Sequence, residues 1–285
     1  MREGSLTPPP PEVPERPEGL YRLPAWKPRH GALAFIFGPG VFVAIAGLTA
    51  LLVDDPETAD TEALSPVAVV IGTLVQNLWF LGVALLLARR VARPRFWHFG
   101  FARTALWPAV GWSALGLVSY YLLSATYSAI VRPDGEQDTL EVLGADQSTV
   151  ALLVAGLMVI VVAPVFEEAF FRGFFYRALR GRLSIWWAAG INGALFGTIH
   201  FAFDGWDNLV FLAPLAILGV IFCLVYERTG SLYAPIAMHA FNNALAFSVG
   251  VDDGWIVALI AGPGMLLACV GVPRILSPPA RPVAA

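Results

Sequence analysis

Thr149-Val-Ala-Leu-Leu-Val-Ala-Gly-Leu-Met-Val-Ile-Val-Val-Ala-Pro-Val-Phe166 is an apolar run that meets Glu167-Glu168-Ala-Phe-Phe-Arg172 and then resumes through Phe174, Phe175 and Tyr176. The run reads as a membrane-crossing helix, because roughly 20 apolar residues at about 1.5 Å each span about 30 Å of hydrocarbon. A charged side chain at mid-bilayer costs about 2.5 to 3.5 kcal/mol, so two carboxylates and a guanidinium left unpaired against lipid would cost on the order of 8 kcal/mol. They are therefore expected to be paired, hydrated or both. The helix is predicted to continue to about Gly181. Its last turns are expected to be amphipathic, with Arg177, Arg180 and Arg182 at the headgroups and aromatics toward lipid, Phe170, Phe171, Phe174 and Phe175 reading as lipid-facing or core residues more than as a substrate pocket.

Seven further stretches share this character: Gly31 to Val53, Pro66 to Ala88, Leu106 to Val131, Ser184 to Phe203, Asn208 to Tyr226, Ser231 to Val249 and Trp255 to Val272. The fold class is thus all-α, a polytopic membrane helical bundle of about eight transmembrane helices. With 57% hydrophobic and 14% charged residues and a mean hydropathy of +0.68, the 285 residues count spans and not soluble cores. Gly38-Pro39-Gly40 predicts a kink in the first span. Residues 1–30, rich in proline and charge and without the apolar core of a cleavable signal, read as a disordered cytosolic tail.

Sixteen of the 18 Lys and Arg fall on one side of such a bundle, against Arg132 on the other and Arg172 within the membrane. The positive-inside rule then places both termini in the cytoplasm of a multi-pass cell-membrane protein. Acidic residues such as Asp54, Asp134, Asp204 and Asp252 fill the opposite loops. No basic stripe suits a nucleic-acid backbone, and no internal repeat suggests a transporter of inverted symmetry. Cys223 and Cys269 form neither a CxxC pair nor a metal spacing, so no disulfide framework is expected.

Chemistry is confined to three segments. Glu167 and His200 are nearly equidistant from the turn near Leu183 and Ser184, so on antiparallel helices they reach one depth. Phe196 and His200 share a helix face, as do His239 and Asn243, each pair being four residues apart. Glu168 lies one turn before Arg172 in the favourable ion-pair order, which gives those two a bracing role. Successive glutamates diverge by about 100°, so Glu167 is left for the cavity. His30 and His98 read as headgroup anchors, Asn192 as helix packing, and Trp186 and Trp187 as interfacial belt. A lone buried His or Asn is more often a packing group than a catalyst; it is the joint spacing that argues for one polar site.

EExxxR, then FxxxH, then HxxxN, in that order in successive apolar segments, resembles the CPBP family, which includes the type II CAAX prenyl endopeptidases and bacteriocin-processing or self-immunity proteins. The resemblance covers roughly residues 149–249, including the approach from Glu227 through Pro235 to His239. It divides the chain into the tail, variable helices over 31–148, the protease-like core over 149–249, and a last helix with a short cytosolic tail over 250–285. It implies an intramembrane endopeptidase in which Glu167, assisted by His200, activates water, while His239 and Asn243 stabilise the oxyanion and Glu168 and Arg172 give structural support. The implied partners are the bilayer and a membrane-embedded or lipid-anchored polypeptide. No cofactor is required by that mechanism. Glu167, His200 and His239 are nonetheless the candidate ligands for a divalent metal such as zinc. A proton- or cation-coupled transporter and a non-proteolytic immunity or scaffold protein remain the alternatives.

Overall fold

The computed structural model describes residues 26–52, 66–132, 148–200, 209–210, 212–251 and 255–276. Most of the proline-rich tail and the acidic loops therefore lie outside the described residues, as does the side chain of Cys269. The described residues form eight helical segments joined by turns, with no strand among them. The first is broken into α1 (Pro28–Phe37) and α2 (Pro39–Leu52), and the break falls at Gly38, where the kink was expected. Then come α3 (Pro66–Arg89), a 3-10 turn (Phe96–Phe99) and α4 (Leu106–Val131). The long helix α5 (Thr149–Arg180) is followed by α6 (Ile185–Thr198), α7 (Leu212–Thr229), α8 (Tyr233–Val249) and α9 (Trp255–Leu276).

Six of these segments are long and apolar enough to cross a membrane. The two that fall short, α6 with 14 residues and α8 with 17, carry His200 and His239. At 1.5 Å per residue α6 covers only about 21 Å, less than the roughly 30 Å of a hydrocarbon layer. His200 lies just past the end of α6, in a turn, and the rest of the expected span to Phe203 lies outside the described residues.

Helix α5 is the axis of the bundle. Its C-terminal half is packed against α1, α3, α6, α7 and the 3-10 turn, so that Phe170, Phe171, Phe174, Phe175 and Tyr176 are all buried. Of the two places expected for these aromatics, lipid or core, they take the core, because this half of the helix is ringed by neighbours, whereas Val150, Leu153 and Leu157 of the first half are exposed. Arg177 departs from expectation for the same reason: it is buried and donates to the His98 and Trp97 carbonyls, away from any headgroup. Arg180 instead pairs with Glu227 at 2.9 Å, and Tyr176 donates to the same carboxylate at 3.0 Å. His98 is likewise buried, accepting at Nδ1 from the Arg95 amide at 3.1 Å, and so is not a headgroup anchor.

Two stretches of α5 widen into π-helix, Met158–Val162 and Ala169–Tyr176. The first ends just before Pro164, which has no N–H to offer the Ile160 carbonyl and whose ring crowds it, so the preceding turn opens. Each widened stretch has a carbonyl met by an asparagine from another helix. Asn243 Nδ2 donates to the Val159 carbonyl at 2.9 Å, and Asn192 Nδ2 to that of Phe171 at 2.8 Å. Side-chain amides here replace part of the ladder that the winding gives up.

The pairing of α6 with α7 is set by small residues. A Cβ at Gly193 would stand 2.5 Å from the Ala216 carbonyl oxygen, and one at Gly197 2.7 Å from that of Leu212. The spacing is the small-xxx-small pattern that lets two backbones touch in lipid, where dispersion and polar contacts drive association. Gly100 closes the 3-10 turn at φ 92°, a left-handed conformation that L side chains rarely adopt, and its carbonyl accepts from the Leu232 amide at 2.8 Å. That bond ties the loop after α3 to the start of α8.

Candidate active site

The three motifs converge. His200 Nε2 and His239 Nε2 each stand 3.9 Å from Glu167 Oε2, which has no hydrogen-bond partner within the protein although it is buried. The Glu167 side chain is 14% exposed, His200 32% and His239 5%, so the cluster opens at the His200 side and closes toward α8.

The tautomers follow from the outer partners. His200 Nδ1 lies 2.8 Å from the Phe196 carbonyl, which can only accept, so Nδ1 carries the proton and Nε2 presents a lone pair. His239 Nδ1 lies 3.0 Å from Glu168 Oε1 and donates to that carboxylate. Neutral His239 therefore also turns an Nε2 lone pair toward Glu167. Two imidazole lone pairs and a carboxylate oxygen face one small volume with no donor among them. Such a set holds whatever brings protons or positive charge: a water, or a cation.

Behind this cluster, Glu168 and Arg172 are fully buried and bonded at 2.7 Å. Arg172 Nη2 also donates to the Gly219 carbonyl at 3.0 Å, and its guanidinium lies 4.4 Å from the Phe196 ring centroid and 4.9 Å from that of Phe222. The expected contact between Glu168 and Arg172 is present, and Glu168 has a further partner. Glu168 accepts from both Arg172 and His239, so the pair that secures α5 to α7 also orients the imidazole of α8. The ring of His239 is further held against Phe222, with centroids 4.8 Å apart.

Asn243 lies on α8 one turn beyond His239, with one amide hydrogen given to Val159 and the other unassigned by any contact to Glu167. Asn242 Nδ2 reaches Asn243 Oδ1 at 3.5 Å, and Tyr121 donates to Asn242 at 3.0 Å, so the amide is steadied from α4. Sequence reasoning missed Tyr121 and the Val159 carbonyl. Pro164 was the available signal for the latter. Asn192 is the packing group it was taken for: it spans α5 and α7, accepting from the Cys223 thiol at 3.2 Å.

As metal ligands, Glu167, His200 and His239 have suitable donor atoms. Two ligands each about 2.0 to 2.1 Å from a tetrahedral zinc would be roughly 3.3 Å apart, so separations of 3.9 Å are too wide for a closed shell. Among the described residues, no three of His, Cys, Asp and Glu close into a coordination sphere.

Residues 149–245 match the family model described as type II CAAX prenyl endopeptidase Rce1-like, so the resemblance drawn from the three motifs holds for that stretch. Three curated bacterial proteins are similar. An "Uncharacterized 24.3 kDa protein" of Escherichia coli is 29% identical over 143 residues, which is 50% of this chain and 62% of that protein. "Uncharacterized protein YyaK" of Bacillus subtilis is 31% identical over 137 residues, 46% of this chain and 44% of that protein. "Putative membrane peptidase YdiL" of the same species is 31% identical over 90 residues, 30% of this chain and 34% of that protein. Each match thus covers less than two thirds of the relative's length. No solved structure matches. With six apolar helices of spanning length, the chain is a multi-pass membrane protein.

Proposed function

We propose that this protein is an intramembrane endopeptidase in which Glu167 activates a water for attack on a peptide carbonyl of a membrane-embedded or lipid-anchored polypeptide. The observation that carries the reading is the meeting of Glu167 Oε2 with two histidine Nε2 atoms at 3.9 Å each. A water hydrogen-bonded at about 2.8 Å to the carboxylate fits beside such a gap, with His200 as its second acceptor. Glu167 takes the proton as the oxygen attacks, and later returns it to the leaving amine.

The tetrahedral intermediate carries its negative charge on the former carbonyl oxygen. His239 takes up a proton from solvent at Nε2 before the attack; as an imidazolium, stabilised through Nδ1–H by the Glu168 carboxylate, it donates Nε2–H to the oxyanion and gives the proton back to solvent when the intermediate collapses. The second amide hydrogen of Asn243 is the other donor. Both hydrogens of that amide then have work, one on Val159 and one on substrate. The proposed steps use side chains of this protein alone.

The cytosolic side is proposed for the opening, following the positive-inside rule. The test is purified Glu167→Gln with a membrane-anchored reporter polypeptide. Turnover should fall by roughly 10²- to 10⁴-fold while thermal stability is kept. A variant that cleaves as fast as the wild type removes Glu167 as the base.

A further inference from the structure

Between α3, the loop that follows it and α5 lies a cavity of about 330 Å³, at the lower end of the range of small-ligand sites. Its walls are Leu81 and Leu85 of α3, Phe99 and Phe101 of the loop, and Val165 and Ala169 of α5; Arg95 is the charged residue in its lining. It is separate from the Glu167 cluster. At 100° per residue, Val165 and Ala169 leave α5 on roughly the opposite side from Glu167.

Two independent features identify an occupant. Leu85 and Leu81 lie one and two turns before Arg89, so the cavity reaches on the order of 12 Å into the bundle from the basic loop. Its walls are apolar side chains. A polypeptide there would leave its amides without partners, whereas an acyl chain has none to satisfy. At the loop end, Arg89, Arg90, Arg93 and Arg95 are all exposed. The described residues include three carboxylates, and none is available to this loop: Glu227 is bonded to Arg180 and Tyr176, Glu168 to Arg172 and His239, and Glu167 lies in the active-site cluster. Arg95 in the lining of an apolar slot, with Arg89, Arg90 and Arg93 exposed close by in sequence, complements a phosphate group with a hydrocarbon tail.

We propose that this cavity is a binding site for one anionic phospholipid of the bilayer, with an acyl chain between Leu81, Leu85 and Val165 and the headgroup phosphate on Arg95 and its neighbours. The lipid would lie along the back of the turn that presents Glu167.

The full-length protein, delipidated in a mild non-ionic detergent, is titrated with phosphatidylglycerol and with phosphatidylcholine, and bound lipid is counted by native mass spectrometry. The expected result is one phosphatidylglycerol per chain, held roughly tenfold or more tightly than phosphatidylcholine. Arg95→Glu should abolish that preference, and Leu85→Trp, which fills the slot, should lose both lipids. Equal retention of the two lipids by the wild type, or full retention by Leu85→Trp, overturns the proposal. Should Leu85→Trp fail to fold, thermal shifts of the wild type decide. Phosphatidylglycerol should raise the melting temperature and glycerol phosphate without chains should not. Equal shifts would assign the arginines to free phosphate and dismiss the lipid.

Discussion

His239 donates from Nδ1 to Glu168 Oε1 at 3.0 Å across a sequence separation of 71 residues, onto a carboxylate that Arg172 already holds at 2.7 Å. Charge balance inside the bundle and the aim of the imidazole therefore rest on one oxygen. Neither side chain can be changed without disturbing the other.

Removing the cation should expose that dependence. Arg172→Met leaves Glu168 buried beside aromatic rings with a single neutral donor, and breaking a buried pair in this way costs about 3 to 5 kcal/mol. The variant is expected to give low folded yield and a large drop in melting temperature in detergent. Wild-type thermal stability in Arg172→Met would show that Glu168 is not held as an ion.

Asn243→Ala tests the dual assignment of one amide. Loss of the bond to the Val159 carbonyl should cost about 1 to 3 kcal/mol of stability. Loss of an oxyanion donor should lower kcat per folded molecule by roughly 10²- to 10³-fold with little change in KM. A stability loss with kcat unchanged would restrict Asn243 to supporting the π-turn.

Helix contact between α6 and α7 is predicted to be intolerant of bulk. Gly197→Leu places a branched side chain where a Cβ alone would be 2.7 Å from the Leu212 carbonyl oxygen, so the helices must separate. Overpacking of this kind costs about 1 to 3 kcal/mol, and it would move His200 away from Glu167. Cleavage by the surviving folded fraction should fall as well. Unaltered cleavage and melting would mean that the two helices do not touch there.

His98, in the turn between α3 and α4, has its pKa lowered by burial first and then by the nearby Arg177 and Arg95 charges. The folded state thus favours the neutral ring, whose Nδ1 accepts from the Arg95 amide. The unfolded chain binds the proton more readily, so this contribution is complete above about pH 6.5 and is lost as pH falls below it. Melting temperature in detergent should decline between about pH 7 and 5. His98→Asn should flatten that decline. An identical slope in the variant would assign it to other groups.

Much of the architecture was legible in the chain because lipid imposes a simple rule: a backbone that crosses hydrocarbon must satisfy itself, so long apolar runs are helices. The kink at Gly38, the end of α5 near Gly181 and the Glu168–Arg172 bond follow from local spacing alone. The identity of the cluster was legible too, since charges in an apolar run need partners, and there were few His and Asn to supply them. What local spacing does not specify is which sides of a helix are covered. For that reason Arg177, expected at the headgroups, lies inside, and Phe170 and Phe174, for which spacing left lipid and core both open, are core residues, because the C-terminal half of α5 is surrounded. The π-turns, the tie from Asn243 to Val159 and the double duty of Glu168 were likewise decided only in the folded bundle. Each depends on where another helix brings a donor or a charge, and that position is a property of packing in three dimensions, not of any segment read alone.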